Sequence, residues 1–283
     1  MSSREQSIRR RVVSFDLLAS ELTVLFRRRR SIAMLVAIAL IPILLAVAVA
    51  LSSQPVEPGR GPPFLDSVTQ NGLFVGFAAM IVGLPLFLPL TVGVVAGDAI
   101  AGEAAHGTLR YLLVAPAGRL RLLLVKFAGT VAWALAAAFT LMLSGAIIGS
   151  LLFPVGPVTL LSGDVIDVPE ALVRSLLVAL YVSVSLMGLS AVGLFISTLT
   201  DVPVGAMAAT VIVSIVSQIL IALPQLEWLH PYLLTYYWLD FADLLRAPIE
   251  WSSFGSNALL QLAYIAVFGS LAYGRFATKS ILS

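Results

Sequence analysis

Long apolar runs alternate with short polar interruptions along the chain, and none shows the period-two alternation of a half-exposed strand. Runs of ~20 apolar residues suffice to cross a ~30 Å hydrocarbon layer as helix. The pattern predicts six spans, at about 31–51, 72–97, 121–153, 171–199, 203–223 and 253–274. Continuity of the runs favours helices over a barrel. Ahead of the first span, Ile8, Val12, Phe15, Leu18, Leu22 and Leu25 recur at helical spacing, while Arg9, Arg10, Ser14, Asp16, Ser20 and Glu21 avoid that stripe. Such an amphipathic helix suits a headgroup layer, with packing against protein as the alternative. The expected fold is therefore an all-α polytopic membrane protein. Residues 1–30 form a cytoplasmic amphipathic segment, and 31–283 form a single six-helix transmembrane domain.

Punctuation refines the pattern. Pro42 eases the first span, and Pro85 and Pro89 lie inside the second. Residues 52–71, rich in proline and glycine, read as an exposed loop, and a tight turn around Asp201 and Pro203 joins spans four and five. A loop to residue 170 carries Asp164, Asp167 and Glu170. The stretch 224–252 holds Trp228, Tyr232, Tyr236, Tyr237, Trp238 and Trp251, a concentration expected at a membrane interface. Three GxxxG pairs, Gly72/Gly76, Gly93/Gly97 and Gly145/Gly149, predict close helix contacts. Arg174 is expected to snorkel to the outer surface.

Composition agrees: 59% of residues are hydrophobic and 11% charged, with mean hydropathy +1.01, whereas soluble domains carry about 25% charged residues. The chain has no cysteine, which excludes disulfides and thiolate metal sites. His106 and His230 form no ligand spacing. Of the 17 basic residues, all but Arg60, Arg174 and Arg246 fall on the side of the N-terminus. That bias places both termini, and the polar island between spans two and three, in the cytoplasm of a cell-membrane protein. Ala48-Val49-Ala50 resembles a cleavage site, but the long polar lead and long apolar run argue for an uncleaved anchor.

The island runs from Gly97 to Lys126 and contains Asp98, Glu103, His106, four basic residues and Pro116. Asp98 and Glu103 are five apart, which separates them by more than a hundred degrees around a helix, and no Ser/His/Asp arrangement is local. No catalytic residue is assigned. "GRFATKS" at 274–280 lacks the glycine before lysine that a phosphate-binding loop requires, so this chain does not bind ATP by that route. The island is also longer than a simple turn. Gly97, Gly102 and Gly107 are expected breakpoints, Thr108 caps a short helix that Pro116 ends, and Leu109, Leu112 and Leu113 share one of its faces. A short helix between glycine hinges reads as a docking element.

The run Asp98, Ile100, Gly102, Glu103, Gly107, Thr108, Leu109, Arg110, Leu112, Leu113, Pro116, Arg119, Leu122, Leu123 and Lys126 resembles the signature of ABC-2 type transporter permeases, membrane subunits of the type V ABC exporter fold. The resemblance implies that the N-terminal helix is the connecting helix. It also implies that the island, about 98–120, carries a coupling helix seated in a separate ATPase subunit. ATP and Mg²⁺ would bind to that partner, with no cofactor in this chain. Asp98, Glu103, His106, Gly107, Thr108, Leu109, Arg110 and Pro116 are then the expected docking residues, Glu103 and Arg110 foremost. For these two a local salt bridge is the alternative.

Arg27, Arg28, Arg29, Arg30, Arg119, Arg121 and Lys126 are expected to anchor at anionic headgroups. Thr210, Ser214, Ser217 and Gln218 fall near one face of span five, where they either line a translocation path or glue helices together. The expected partners are ABC ATPase subunits, a second permease copy and membrane lipids, with no nucleic acid. The function implied is ATP-driven export of a hydrophobic or amphipathic substrate such as a drug, lipid or lipopeptide. A membrane or metalloenzyme maturation system, and an ATP-independent channel or carrier, are the alternatives.

Overall fold

The computed structural model describes residues 16–51, 68–107 and 118–278. Within that range the order is α1 (16–27), α2 (Arg29–Leu51), α3 (Phe74–Gly83), α4 (Phe87–Ala105), α5 (Arg119–Leu152), strands β1 (Val158–Thr159) and β2 (Val165–Ile166), α6 (Val168–Ser185), α7 (Met187–Leu199), α8 (Pro203–Ile221), two 3₁₀ helices (Pro224–Tyr232 and Asp240–Leu245) and α9 (Trp251–Thr278). Among the described residues six helical stretches are long and apolar enough to cross a membrane, with α6 and α7 forming one of them. The chain is a multi-pass helical membrane protein. Ile8, Val12 and Phe15 of the N-terminal stripe, and the whole of Thr108–Pro116, lie outside the described residues.

The second span is broken, and the prolines say why. Pro85 and Pro89 have no N–H, so the carbonyls four residues earlier, Ile81 and Pro85, lose their ladder donors. Helix α3 stops at Gly83 and α4 restarts at Phe87. From α8, the Gln218 side-chain amide donates to the Pro85 carbonyl at 2.7 Å. A polar side chain that would be costly in lipid thus meets a backbone group that Pro89 has deprived of its partner. At its other end α4 runs eight residues beyond the expected span. Gly97 and Gly102 are therefore interior helical residues, and the break comes at Gly107, whose φ of +68° suits glycine.

Helix α4 packs between α7 and α8, while α2 and α3 lie on α5 and α9 on α7. The glycine pairs act as the spacing predicts. A Cβ on Gly145 would lie 2.6 Å from the Gly76 Cα, and one on Gly97 would lie 2.7 Å from the Met207 Cα of α8. Gly72/Gly76 and Gly145/Gly149 face each other across α3 and α5. Apolar packing falls into two clusters. A large one contains Trp133, Leu88, Val95 and Leu189, and a small one contains Ile100, Leu122, Leu123, Leu194 and Phe276.

The region expected to be an interfacial belt is partly core. Trp228, Tyr232 and Trp251 are exposed, but Trp238 and Phe241 are buried in the large cluster. The chain folds back here, with Thr235 bonded to Ser217 of α8 at 2.8 Å and the Tyr181 hydroxyl donating to the Tyr237 carbonyl at 2.6 Å. Arg174 does not snorkel. It is buried, pairs with Glu170 at 2.7 Å, and donates to the Leu244 and Arg246 carbonyls at 2.9 and 2.7 Å. It is cheaper here to satisfy carbonyls that no helix ladder supplies than to extend outward.

In the same loop, burial and the neighbouring Asp243 hold the Asp240 carboxyl above its ordinary value of 3.8. The ionised form therefore opposes folding at neutral pH, and that opposition fades as pH falls through the raised value. Asp240→Asn should raise the thermal midpoint at neutral pH, with the gain vanishing below about pH 4, the ordinary aspartate range. Thermal unfolding of the two proteins across that pH range checks this.

Candidate functional site

The described part of α1 presents Leu18, Leu22 and Leu25 towards the protein, where Leu25 is buried and Phe26 stacks on Trp133 of α5 at 5.8 Å. Glu21, read from sequence as part of the outward polar face, is half-buried on the same side. Its carboxylate accepts from Lys126 at 2.9 Å. Lys126 also donates to Glu103 at 2.9 Å. The Lys126 side chain is only 5% exposed, and its ammonium lies between two carboxylates from two other helices. Lys126 is thus held by two acids within the protein. The first turns of α5 are covered by α1 and α4, so its side chain finds acid before it finds lipid.

A second brace lies beside it. Asp98 Oδ2 accepts from Arg30 at 2.6 Å and from Arg28 at 3.2 Å. Gly102, one turn on, carries no Cβ where one would sit 2.5 Å from Asp98 Oδ1, so the carboxylate can lie along the helix. Arg28 and Arg30, expected at the headgroups, thus hold the start of α2 to α4. Arg27 and Arg29 are exposed. His106 ends α4, its Nδ1–H donating to the Gly102 carbonyl at 2.6 Å, a bond that sets the tautomer. Glu21, Arg28, Arg30, Asp98, Glu103, His106 and Lys126 all border one cavity of about 540 Å³. Asp98 and Glu103, far apart around the helix, flank it from two sides.

Arg119 at the start of α5 donates to the carbonyls of Phe276, at 3.0 Å, and Ala277. This is a cation on the last turn of α9, where the helix dipole favours it. Arg119 serves the fold before any lipid. Arg121 is half-buried. The island's two stems, α1, the start of α2 and the end of α9 are thus joined at one end of the molecule.

The span-five residues sit elsewhere. Thr210 and Ser214 donate to carbonyls of their own helix, Ala206 at 2.7 Å and Val211 at 2.8 Å. Ser217 and Gln218 bond Thr235 and Pro85. Each is engaged within the chain. A small cavity of about 140 Å³ adjoins Gln218, walled by Leu84, Pro85, Tyr236, Trp238 and Leu239.

Sequence reasoning missed Glu21 and Ser197. The Ser197 hydroxyl, wholly buried on α7, contacts the α4 backbone one turn before Glu103. A serine one turn from the end of a helix gives no sequence signal of that role. Glu21 could have been found as an acid on the border of an apolar stripe.

Among the described residues, no group of three His, Asp or Glu side chains could hold a metal. The fold is that of a multi-pass helical membrane protein whose charged side chains join helices at one end. A family model described as ABC-2 family transporter protein matches residues 17–217, and the chain belongs to that family. Membership makes it a membrane permease of an ABC transporter. The matched region begins in α1, includes both braces and ends at Ser217 of α8. No curated protein matches the chain at a significant level.

Proposed function

We propose that the chain is the permease half of an ABC exporter, working as a dimer with ATPase subunits supplied separately. Both termini and the island face the cytoplasm of the cell membrane, and ATP and Mg²⁺ are bound by the partner. The island, from His106 and Gly107 through Thr108, Leu109 and Arg110 to Pro116, docks in the ATPase. Asp98 and Glu103 act one step inward, transmitting its motion. The observation that supports this most is the pair of braces, Glu21–Lys126–Glu103 and Arg28/Arg30–Asp98, which ties the N-terminal helix to both stems of the island. A rigid joint at that place converts movement of a docked loop into movement of spans one to three. The neutral, largely apolar side chains around Gln218 support a hydrophobic or amphipathic cargo.

Purification of the tagged chain from its own membranes tests the reading. The wild type should bring down an ATPase that hydrolyses ATP, and Arg110→Glu should release that subunit while the permease stays monodisperse. A wild type that carries no ATPase, or a variant that retains it fully, overturns the docking assignment.

A further inference from the structure

We propose that the groove between α5, α7 and α9 binds one anionic phospholipid, with an acyl chain along the groove and the phosphate at Arg119 and Arg121. The groove is a cavity of about 370 Å³ walled by Leu120, Leu124 and Phe127 of α5, Leu194 of α7, and Gly269 and Tyr273 of α9. Leu120, Leu124 and Tyr273 are exposed, so it opens to the outside of the bundle, where a membrane helix meets lipid. At one end α9 is fixed to α5. Phe276 packs in the small apolar cluster with Leu122 and Leu123, and Arg119 bonds the Phe276 and Ala277 carbonyls. Further along, α9 leans on α7 instead, where Gly188 leaves room for Gln261. The groove lies between these contacts.

Shape and charge both fit such a lipid. From Ile265 to Tyr273 the α9 wall runs about 12 Å, close to the ~15 Å depth of one leaflet's hydrocarbon. Glycine weakens a helix interior, and Gly76 and Gly145 use it to bring backbones together, but a Cβ on Gly269 would meet nothing within 4 Å. Its missing side chain leaves space that no protein atom takes. None of the three helices carries an Asp or Glu. Arg119 and Arg121 flank Leu120 at the mouth, and the bonds of Arg119 to the end of α9 hold its guanidinium across it. Of the acids at this end, Glu21 and Glu103 are held by Lys126, and Asp201 sits in the turn leading to α8, which packs on α4. A basic mouth on an apolar groove at the membrane surface selects an anionic headgroup. That this end is cytoplasmic rests on the permease reading; the groove itself does not.

The tagged chain, purified in mild detergent with any subunit it carries, is titrated with dioleoylphosphatidylglycerol or dioleoylphosphatidylcholine and followed by native mass spectrometry. Wild type should hold one phosphatidylglycerol per chain, about tenfold tighter than phosphatidylcholine. The soluble headgroup glycerophosphoglycerol should not displace it. Gly269→Phe fills the groove and should lose that lipid while the thermal midpoint of the lipid-free protein stays the same. Gly255→Phe is the control: Gly255 is exposed on the same helix, an added Cβ there also meets nothing within 4 Å, and it lies outside the groove. Its binding should match wild type. Arg121→Gln should keep a bound lipid but narrow the preference for phosphatidylglycerol. Equal affinity of wild type for the two lipids, displacement by the soluble headgroup, retention of the lipid by Gly269→Phe, or an unchanged preference in Arg121→Gln overturns the proposal. A wild-type dimer that Gly269→Phe splits into monomers overturns it too, because the groove would then be an interface between copies. A chain that binds lipid as expected but carries no ATPase sinks the permease reading alone.

Discussion

Gly149→Val should abolish the folded form of the protein. On α5, Gly149 meets the Gly72 carbonyl at the head of the second span, and a Cβ there would overlap that oxygen and its carbon. The obstruction is backbone on both sides, so no side chain can rotate away. Gly72 is itself fixed, its N–H donating to the Pro154 carbonyl at 2.9 Å just past the end of α5. Overpacking in a core costs about 1–3 kcal/mol where side chains can give, and a contact of backbone with backbone should exceed about 3 kcal/mol. The check is the monodisperse fraction and thermal midpoint in detergent. Gly269→Val on α9, where an added Cβ meets nothing within 4 Å, should leave both nearly unchanged.

Lys126→Met should be the most damaging change at the braced cavity. It removes a cation that Glu21 and Glu103 share and leaves two carboxylates from different helices facing each other in a half-buried site. Breaking a buried ion pair costs about 3–5 kcal/mol, mostly from the charge left behind. With Glu21 and Glu103 27% and 21% exposed, about 3 kcal/mol is the expected scale. The sign of the pH dependence identifies the cause. Repulsion between the two carboxylates that lose their shared cation is relieved when one takes a proton, so the defect should shrink as pH is lowered towards the carboxylate range. A defect that arose from lost packing alone would be independent of pH. Thermal midpoints of the two proteins at neutral and acid pH separate these outcomes.

Local features of the fold were legible because they depend on local physics. Twenty apolar residues identify a span wherever they occur, a Pro203 preceded by Asp201 turns the chain, and GxxxG spacing aligns two glycines on one face. The partners of those features were harder to see. That Gly72/Gly76 meets Gly145/Gly149, or that Gln218 repairs the carbonyl exposed by Pro89, depends on which spans become neighbours. The partners of the charged residues were hard to see for a related reason. A basic residue at the end of a span reads as a lipid anchor until another helix covers it, and Lys126 pairs with Glu21, 105 residues away. Likewise Gly97 and Gly102 read as hinges, although a glycine inside a helix can equally serve close packing, as Gly97 does against Met207, or leave room for a side chain, as Gly102 does for Asp98. The aromatic stretch 224–252 was read by composition, which does not separate Trp238 in the core from Trp228 at the surface. For the coupling segment itself, Thr108–Pro116, the expectations from sequence stand as proposals.

The central claim is that α1, the end of α4 and the start of α5 move as one braced body when the ATPase acts. A single distance tests it. With spin labels at Ser20 on α1 and Leu124 on α5, both exposed, in the purified permease–ATPase complex, the distribution should be the same without nucleotide and with ATP bound. A nucleotide-dependent shift of several ångströms between these two positions would contradict the account, because the braces would then open during the cycle instead of carrying its force.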